Sequence, residues 1–389
     1  MIENRTILCF ASGYDAPPTS KHHVMHLLAE HNRVLWVNYH ASRAPSVCSS
    51  DLAWIWAKLK QVARGLSKPR ENLWVLTPLV VPLPGSRLVR QLNRASLPWQ
   101  IKSALGRMGG GPLQIWSFAP DVAYLVDEFR PERVLYYCVD DFASFSGYDR
   151  QQVLRDEAAL CRRADVVVTT SLALQEAKQS LNPHTLMVSH GVDYEHFRSA
   201  LTRSWPEPAD LAGIPHPRLG FFGLIRDWVD LDLLAEVARR RPAWHFVLLG
   251  DSTIDLGPSG GLPNMHFLGR KPYGDLPAYC AGFDLGLVPF RINELTRAVN
   301  PIKLREYLAA GLPVVSTPLP EVRLLGDLVH VAATAEETVA AVERALSGGR
   351  ERAEALSRSM AGETWDCKLS RIEQALRTGR AAQGSPTSD

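Results

Sequence analysis

Residues 283–317 read FDLGLVPFRINELTRAVNPIKLREYLAAGLPVVST, and this stretch decides the fold. An apolar run that ends at Pro289 predicts a buried strand, and a polar loop follows it. Asn300 and Pro301 predict the start of a helix, because proline near a helix start fits the backbone and loses no needed donor. Gly311 predicts the end of that helix, and the next apolar run predicts another strand. This order is typical of a parallel α/β sheet that is covered on both faces.

The same alternation of short apolar runs and helical stretches extends along most of the chain. It is interrupted by residues 199–217, which contain four prolines and indicate a linker. The predicted parts are an N-terminal Rossmann-like domain at 1–200, a linker at 201–217, a second Rossmann-like domain at 218–360, a C-terminal helix at 361–378 that packs back on the first domain, and a disordered tail at 379–389. Two such domains in tandem predict a cleft, and ligands are expected at the carboxyl ends of the strands.

Composition excludes several classes of protein. The chain has 389 residues, of which 46% are apolar and 22% charged, which is typical of a globular protein and excludes intrinsic disorder. No apolar run approaches the roughly 18 residues of a membrane-spanning helix. The six cysteines form no CxxC pair, and the apolar run near the N-terminus is too short for a signal peptide. We therefore expect a cytoplasmic protein.

Charge is unevenly distributed along the chain. Residues 41–110 carry eleven basic and two acidic side chains, although the net charge of the whole chain is +2. A helix over residues 51–66 is predicted within this segment, with an apolar stripe at Ile55, Leu59, Val62 and Leu66. Basic residues interleaved with tryptophan favour contact of the region 51–107 with the inner face of a membrane. A docked helix with a solvated basic face is the alternative, and nucleic acid is not an expected partner.

The helix predicted after Asn300 is a candidate anion site. Its first turn exposes free N–H groups, and Lys303 lies in that turn, where it can add a point charge on a phosphate. Glu306 follows one turn later and suits two ribose hydroxyls. The alternative is an ordinary helix with Lys303 and Glu306 as a solvated pair. In the loop after the first strand of the second domain, Gly223 allows a diphosphate to approach the backbone, and Arg226 can clamp it.

Asp140 and Asp141 follow an apolar strand and are candidate catalytic residues. Adjacent side chains in extended geometry point in opposite directions, so we expect one to face the cleft and the other to cap the next segment. A carboxylate there can deprotonate an acceptor hydroxyl that attacks an anomeric carbon, which is typically worth about 10²–10⁴-fold in rate. The alternative is that both acids cap the loop before Gly147.

Four motifs in order resemble known glycosyltransferases. The run KLREYLAAGLPVVST resembles the nucleotide-sugar site of enzymes with the two-Rossmann GT-B architecture, especially family-four-like and exopolysaccharide enzymes. The sequence from His190 to Asp193, followed by Phe197, resembles their N-G-V-D turn. LGFFGL at 219–224 resembles the glycine turn that opens the second domain. Trp365 resembles the tryptophan of the C-terminal helix that crosses back to the first domain.

The resemblance implies a GT-B fold, a nucleotide diphosphate sugar as co-substrate, UDP-linked, and no cofactor. It implies that Glu306 binds the ribose and that Arg270 or a backbone group near it meets the base. The segment around Asp140 is similar to the strand end of bacterial exopolysaccharide enzymes such as the xanthan glucuronosyltransferase, which puts the catalytic aspartate on Asp140. Retaining relatives have a second glutamate eight positions before Glu306, where this chain has Ala298.

In this architecture the loop after the first strand lines the acceptor side. Thr19 or Ser20 is a natural helix N-cap. The residues expected on the acceptor side are Gly13, Thr19, Ser20, Lys21 and His22. Lys21 or His22 can touch an acceptor phosphate. The spacing of His22 and His26 suits two metal ligands, but no third ligand is apparent, so we expect no metal and interpret the histidines as surface residues.

The expected function is transfer of a sugar to a hydroxyl of a lipid-linked or oligosaccharide acceptor in surface or exopolysaccharide synthesis. A nucleotide-sugar epimerase of the same architecture and a non-catalytic glycosyltransferase-like subunit are the alternatives. A dinucleotide-dependent oxidoreductase is disfavoured, because no G-x-G-x-x-G follows a strand.

Overall fold

The computed structural model describes residues 2–39, 65–79, 87–348 and 350–381, with side chains for all of these except 87–90, 350 and 379–381. The chain divides into two compact units. The first is Met1–Val188 together with Leu369–Asp389, and the second is Ser189–Lys368. The division falls before residue 200, and the stretch 201–217 lies inside the second unit.

The first unit contains an eight-stranded sheet with the strand order β3-β4-β2-β1-β5-β6-β7-β8. All neighbouring strands are parallel except β3, which pairs with β4 in the antiparallel direction. Its strands are β1 (Thr6–Ala11), β2 (Arg33–Asn38), β3 (Leu66–Arg70), β4 (Leu73–Leu76), β5 (Leu113–Ser117), β6 (Arg133–Cys138), β7 (Val166–Thr169) and β8 (Thr185–Met187). Its helices are α1 (Ser20–Ala29), α2 (Arg87–Met108), α3 (Ala123–Phe129), α4 (Arg150–Arg163) and α5 (Leu172–Gln179).

The second unit contains a six-stranded parallel sheet with the order β11-β10-β9-β12-β13-β14. Its strands are β9 (Arg218–Phe222), β10 (His245–Leu249), β11 (Met265–Phe267), β12 (Leu285–Val288), β13 (Val314–Ser316) and β14 (His330–Val331). Its helices are α6 (Tyr194–Thr202), α7 (Leu231–Arg240), α8 (Leu276–Ala281), α9 (Glu294–Arg297), α10 (Ile302–Ala309), α11 (Pro320–Arg323), α12 (Ala335–Leu346) and α13 (Arg350–Ser359). The last helix, α14 (Trp365–Ala381), begins in this unit and continues into Leu369–Asp389 of the first.

Apolar sequence runs explain the strands. Every residue of β1, β7 and β12 is buried, as expected for parallel strands that helices cover on both faces. In both sheets the strand order reverses next to the first strand, so that β1 lies between β2 and β5, and β9 lies between β10 and β12. Ligands bind at the carboxyl ends of strands at such a reversal.

Some sequence expectations are wrong in detail. The final helical stretch is broken into α13 and α14, and α14 extends through Ala381, so the expected disordered tail is helical at 379–381. Residues 51–64 of the expected helix 51–66 lie outside the described residues, as do residues 382–389 of the tail, whereas Leu66 begins β3. Helices α2 and α6 and strand β3 were not expected.

A buried ion pair links two helices beneath the sheet of the first unit. The Lys178 ammonium on α5 lies 2.6 Å from the Glu157 carboxylate on α4, and both side chains are almost fully buried. The Tyr136 hydroxyl on β6 donates a second hydrogen bond to Glu157, at 2.6 Å. Removing one partner of such a pair leaves an uncompensated buried charge.

We expect Lys178→Ala to lower the free energy of unfolding by about 3–5 kcal/mol, because Glu157 then has to stay ionised without its partner or take up a proton. Arg163→Ala is the matched control, since its pair with Asp127 is exposed and such pairs contribute less than about 1 kcal/mol. Urea denaturation of both variants measures the difference. Equal losses of unfolding free energy in Lys178→Ala and Arg163→Ala would show that the buried pair contributes no more to stability than the exposed one.

Candidate active site

Two glycine turns bring the carboxyl ends of β9 and β10 into contact. Gly250 follows β10 and has φ +150°, and a Cβ added there would lie 1.9 Å from the Gly223 carbonyl oxygen. The Gly223 N–H donates a hydrogen bond to the Leu249 carbonyl at 2.8 Å. No residue with a side chain can replace Gly250 without moving the neighbouring backbone. The edge of the sheet is therefore open next to β9.

Lys303 occupies the space that Gly223 leaves. Gly223 has φ +139°, and a Cβ added there would lie 2.1 Å from Cε and 2.7 Å from Nζ of Lys303. The ammonium lies 5.8 Å from the centroid of the Phe221 ring and 5.9 Å from that of Phe290, at cation–π distances. The aliphatic stem of Lys303 thus crosses the glycine turn, with its charge over aromatic rings.

The amino end of α10 supplies further positive potential. The helix begins at Ile302 after Pro301, so Lys303 lies in its first turn, as the sequence predicts. N–H groups of a first helical turn have no acceptor within the helix, and they carry the positive end of the helix dipole. Backbone donors and the Lys303 ammonium are therefore close together at this carboxyl edge of the sheet, an arrangement suited to an anion.

The Asn300 side chain belongs to a buried hydrogen-bond network at the start of α10. Its side-chain amide donates to Glu321 at 3.0 Å, and its carbonyl oxygen accepts from Arg305 at 2.6 Å. Arg305 in turn lies 3.4 Å from Glu363, and Asn300 itself is 3% exposed. Both polar atoms of the Asn300 side chain are engaged in buried hydrogen bonds, and the assignment of Asn300 to the donor site stays a prediction. The network holds the start of α10 in place.

Glu306 is buried rather than part of a solvated pair. It is 5% exposed, and no described donor reaches its carboxylate. Burial raises the pKa of Glu306 to about 7, while the Lys303 charge opposes the shift and the Asp193 charge adds to it. The alternative of a solvated Lys303–Glu306 pair is therefore excluded. A buried carboxylate with open acceptor positions suits hydroxyl groups of a ligand.

Arg226 lies on the loop that follows Gly223. Its guanidinium lies 5.7 Å from the centroid of the Trp228 ring, and its buried Nε has no hydrogen-bond partner in the described residues. A buried guanidinium N–H without an acceptor is costly unless a ligand supplies one. Arg270 follows β11 and is exposed, whereas Ala298 is buried between α9 and α10 and brings no carboxylate.

His190 is a functional candidate that the sequence analysis treated only as part of a motif. It is buried, its ring lies 6.0 Å from that of Trp365, and its Nδ1 has no partner in the described residues. Burial lowers the pKa of His190 to about 3, and the positive charges of Arg305, Lys303 and Lys368 add to the shift. The second unit thus holds a neutral imidazole close to the cations. A side chain so well buried carries no distinct sequence signal.

The first unit holds the two aspartates after β6. Asp141 accepts a hydrogen bond from Ser144 in the following turn, which is the capping role expected for one of the pair. Asp140 interacts electrostatically with Lys21, whose ammonium donates to the Ser12 hydroxyl. Burial lowers the pKa of Lys21, and the negative charge of Asp140 opposes that shift. Asp140 is therefore the acid of the pair that shares a site with other predicted residues.

His22 of α1 is a buried structural residue. It is 2% exposed, its Nδ1 accepts from the Thr19 N–H at 3.1 Å, and its Nε2 lies 3.0 Å from the Tyr14 carbonyl oxygen. Burial lowers the pKa of both His22 and His26 to about 4, and nearby positive charges add to the shift. The interpretation as surface residues is wrong for His22, both of whose ring nitrogens are engaged, whereas His26 is half-buried.

The other residues expected on the acceptor side surround that helix start. Ser20 is buried and opens α1, Thr19 precedes it as the N-cap, and Gly13 accepts a turn hydrogen bond from Ala16 at 3.2 Å. Of this group, Lys21 alone has a described interaction with a candidate catalytic residue. Within the described residues no group of three or more His, Cys, Asp and Glu side chains is arranged to hold a metal ion.

Comparison with known proteins identifies part of the chain. Residues 216–348 match the family described as "Glycosyl transferases group 1". The chain is 28% identical over 282 residues to TuaH of Bacillus subtilis (strain 168), a protein assigned by name to teichuronic acid biosynthesis as a glycosyltransferase. That similarity covers 66% of this chain and 70% of TuaH.

Solved structures confirm the expected GT-B fold. Sucrose-phosphate synthase from Thermosynechococcus elongatus matches with a TM-score of 0.66 at 15% identity, over 97% of this chain and 100% of that one. Anabaena HepE in complex with UDP and glucose matches with a TM-score of 0.66 at 17% identity, over 96% and 99% of the two chains. Trehalose 6-phosphate synthase from Burkholderia multivorans gives 0.65 at 12% identity, over 100% of both.

We expect the stability of the protein to fall as pH rises, because of Glu306. An unfolded glutamate has a pKa of about 4.3, whereas burial raises that of Glu306 to about 7. Between these values the folded state retains a proton that the unfolded state has released, so folding becomes less favourable until the loss is complete above about pH 7, where it reaches about 3 kcal/mol.

Urea denaturation at about pH 5 and about pH 8 measures this effect as the difference between the wild type and Glu306→Gln, which cannot ionise. Glu343→Gln, in an exposed pair with Arg241, is the matched control and should follow the wild type. A difference between wild type and Glu306→Gln that is the same at both pH values would contradict the assignment.

Proposed function

We propose that this protein is a glycosyltransferase that moves a sugar from a nucleotide diphosphate sugar to a hydroxyl of a lipid-linked or saccharide acceptor in surface or exopolysaccharide synthesis. The observation that carries the proposal is the arrangement of Gly223, Lys303 and Glu306 within a group 1 glycosyl transferase domain. The similarity to TuaH supports a role in polysaccharide synthesis.

The donor binds to the second unit in this proposal. Lys303 and the amino end of α10 receive the diphosphate, and Arg226 supplies a further charge through its unsatisfied N–H. The buried Glu306 carboxylate accepts hydrogen bonds from the ribose hydroxyls. UDP is the proposed nucleotide, since HepE, with the same fold, was crystallised with UDP. Arg270 is proposed to contact the base.

The acceptor is activated by the first unit. In this proposal the Asp140 carboxylate takes the proton from the acceptor hydroxyl as its oxygen bonds to the anomeric carbon. The bond from that carbon to the diphosphate oxygen breaks, and the nucleoside diphosphate leaves with the electron pair. The positive groups around Lys303 stabilise the charge that develops on the leaving group, and preorganised charges of this kind are usually the largest catalytic contribution.

The proposal is metal-independent, because protein cations and helix N–H groups receive the diphosphate in place of a divalent ion. It further assigns a hexosyl group to the donor, and a cytoplasmic location with peripheral attachment at the inner face of the membrane. Incubation with UDP-, GDP- and dTDP-hexoses, with and without EDTA, tests the donor class. An epimerase would convert the nucleotide sugar without releasing the nucleoside diphosphate, and a non-catalytic subunit would do neither.

We expect Lys303→Met to weaken UDP binding by about ten- to a hundredfold, because hydrogen bonds to charged groups contribute about 1.5–3 kcal/mol. Gly223→Ala should act in the same direction, since its methyl group displaces the lysine. Calorimetric titration with UDP measures both. Lys271→Met is the matched control, because this lysine of the same unit pairs with Asp210. Unchanged UDP affinity in Lys303→Met would exclude Lys303 from the diphosphate site.

We expect Asp140→Asn to lower sugar transfer by about 10²–10⁴-fold while UDP affinity stays unchanged, because the variant keeps the shape of the site but cannot accept a proton. The assay follows nucleoside diphosphate release in the presence of a lipid-linked saccharide fraction. Asp141→Asn is the control, since this residue caps a turn and should retain most of the activity. Equal activity losses in both variants, or full activity in Asp140→Asn, would overturn the assignment of the base.

A further inference from the structure

Helix α2 has a narrow buried stripe. Leu97, Ile101, Ala104 and Met108 are at most 6% exposed, and their spacing of four, three and four residues puts them on one side of the helix. This side packs into the core of the first unit. The opposite side of the helix has no apolar partner in the described residues.

Large apolar side chains occupy that opposite side. Leu92 and Trp99 are two turns apart and are 57% and 73% exposed. Leu79 is 58% exposed and belongs to the same surface, because the Gln100 side chain bonds both its N–H, at 2.8 Å, and its carbonyl, at 3.1 Å. Four large apolar side chains of the described residues are more than half exposed, and three of them lie here. We call Leu79, Leu92 and Trp99 the apolar patch.

The helix that carries the patch is strongly basic. It contains five basic residues and no acidic one, which are Arg87, Arg90, Arg94, Lys102 and Arg107. Arg94 lies 5.0 Å from the centroid of the Tyr124 ring, and Lys102 pairs with Glu128, so both stems are held beside the helix. Arg107 is exposed in the last turn. The exposed Leu92 and Trp99 therefore lie on a helix whose net charge is positive.

We propose that the apolar patch, together with the exposed Arg94 and Arg107 of α2, forms the docking surface for an anionic phospholipid bilayer. Tryptophan prefers the interface between headgroups and acyl chains, and each lysine or arginine near an anionic surface adds to the attraction. The acyl region of a bilayer accepts the side chains of Leu79, Leu92 and Trp99, whereas its anionic headgroups attract the arginines of α2. The proposal rests on the proposed function through its lipid-linked acceptor, and it narrows the expected contact region 51–107 to α2 and Leu79.

The bilayer is bound at its surface in this proposal. No helix among the described residues is long and apolar enough to cross a membrane. An amphipathic helix with basic flanks lies in the plane of the interface, with its apolar side chains inserted below the headgroups. Such binding depends on both the apolar insertion and the lipid charge, so the two contributions can be removed separately.

Sedimentation of the full chain with vesicles of phosphatidylcholine alone, or of phosphatidylcholine with phosphatidylglycerol, tests the proposal. The wild type should bind the anionic vesicles and not the neutral ones. The double variant Leu92→Gln/Trp99→Gln should lose at least about tenfold in vesicle affinity, since it removes two inserted apolar side chains. Replacing Arg94 or Arg107 by Gln should lower the affinity for anionic vesicles about fivefold for each charge removed. At high salt the variants and the wild type should bind these vesicles equally.

Leu324→Gln is the matched control, because Leu324 is equally exposed, at 60%, but lies in the second unit. Its vesicle affinity should equal that of the wild type. A wild type that binds no anionic vesicle, or a double variant that binds as well as the wild type, would overturn the proposal. Wild-type dimerisation that the double variant abolishes, without vesicle binding, would identify a second copy as the partner instead.

The same variants separate this proposal from the proposed function. The double variant should bind UDP as the wild type does, because its substitutions lie in the first unit, whereas Lys303 belongs to the second. Loss of vesicle binding with intact UDP binding is the expected result. A wild type that binds anionic vesicles but no nucleoside diphosphate would refute the donor assignment while leaving the docking surface in place.

Discussion

The candidate donor site depends on one steric constraint, which is the contact between the backbones of two turns. A Cβ at Gly250 would lie 1.9 Å from the Gly223 carbonyl oxygen, so the turns after β9 and β10 can meet only without side chains. The missing Cβ of Gly223 in turn leaves room for Lys303 to lie across this glycine. The charge at the carboxyl edge of the sheet therefore depends on both glycines. The hydrogen bonds of Asn300 with Arg305 and Glu321 hold the start of α10, the helix that carries Lys303.

Burial then determines the protonation of the groups around Lys303. It raises the pKa of Glu306 to about 7 and lowers that of His190 to about 3, so the site favours a carboxyl group that can hold a proton and an imidazole that does not. The raised pKa of Glu306 and the lowered pKa of His190 both favour the uncharged form of the buried side chain. A site of this kind attracts an anion, because its cations are not neutralised by their buried neighbours. The same arrangement explains how a carboxylate close to a phosphate site is tolerated.

Most of the regular structure could be predicted from the sequence, because the strands are continuous apolar runs that alternate with helical stretches. Helix α2 was missed because Pro98 interrupts a pattern that Leu97, Ile101 and Ala104 otherwise make periodic. Local pattern could identify Gly223, Lys303 and Glu306 as candidates, but not the burial of Glu306 or His22, which depends on tertiary packing. For the same reason the sequence does not show that the Asn300 side chain is hydrogen-bonded to Glu321 and Arg305.

In the first unit the corresponding charges are those of Lys21 and Asp140. Burial lowers the pKa of the Lys21 ammonium, and the negative charge of Asp140 opposes that shift. The Ser12 hydroxyl accepts a hydrogen bond from that ammonium in the loop after β1, and the Thr19 N–H donates to His22 at the start of the same helix. The buried His22 therefore fixes the start of the helix that carries Lys21, and the charge of this lysine is the one that acts on Asp140.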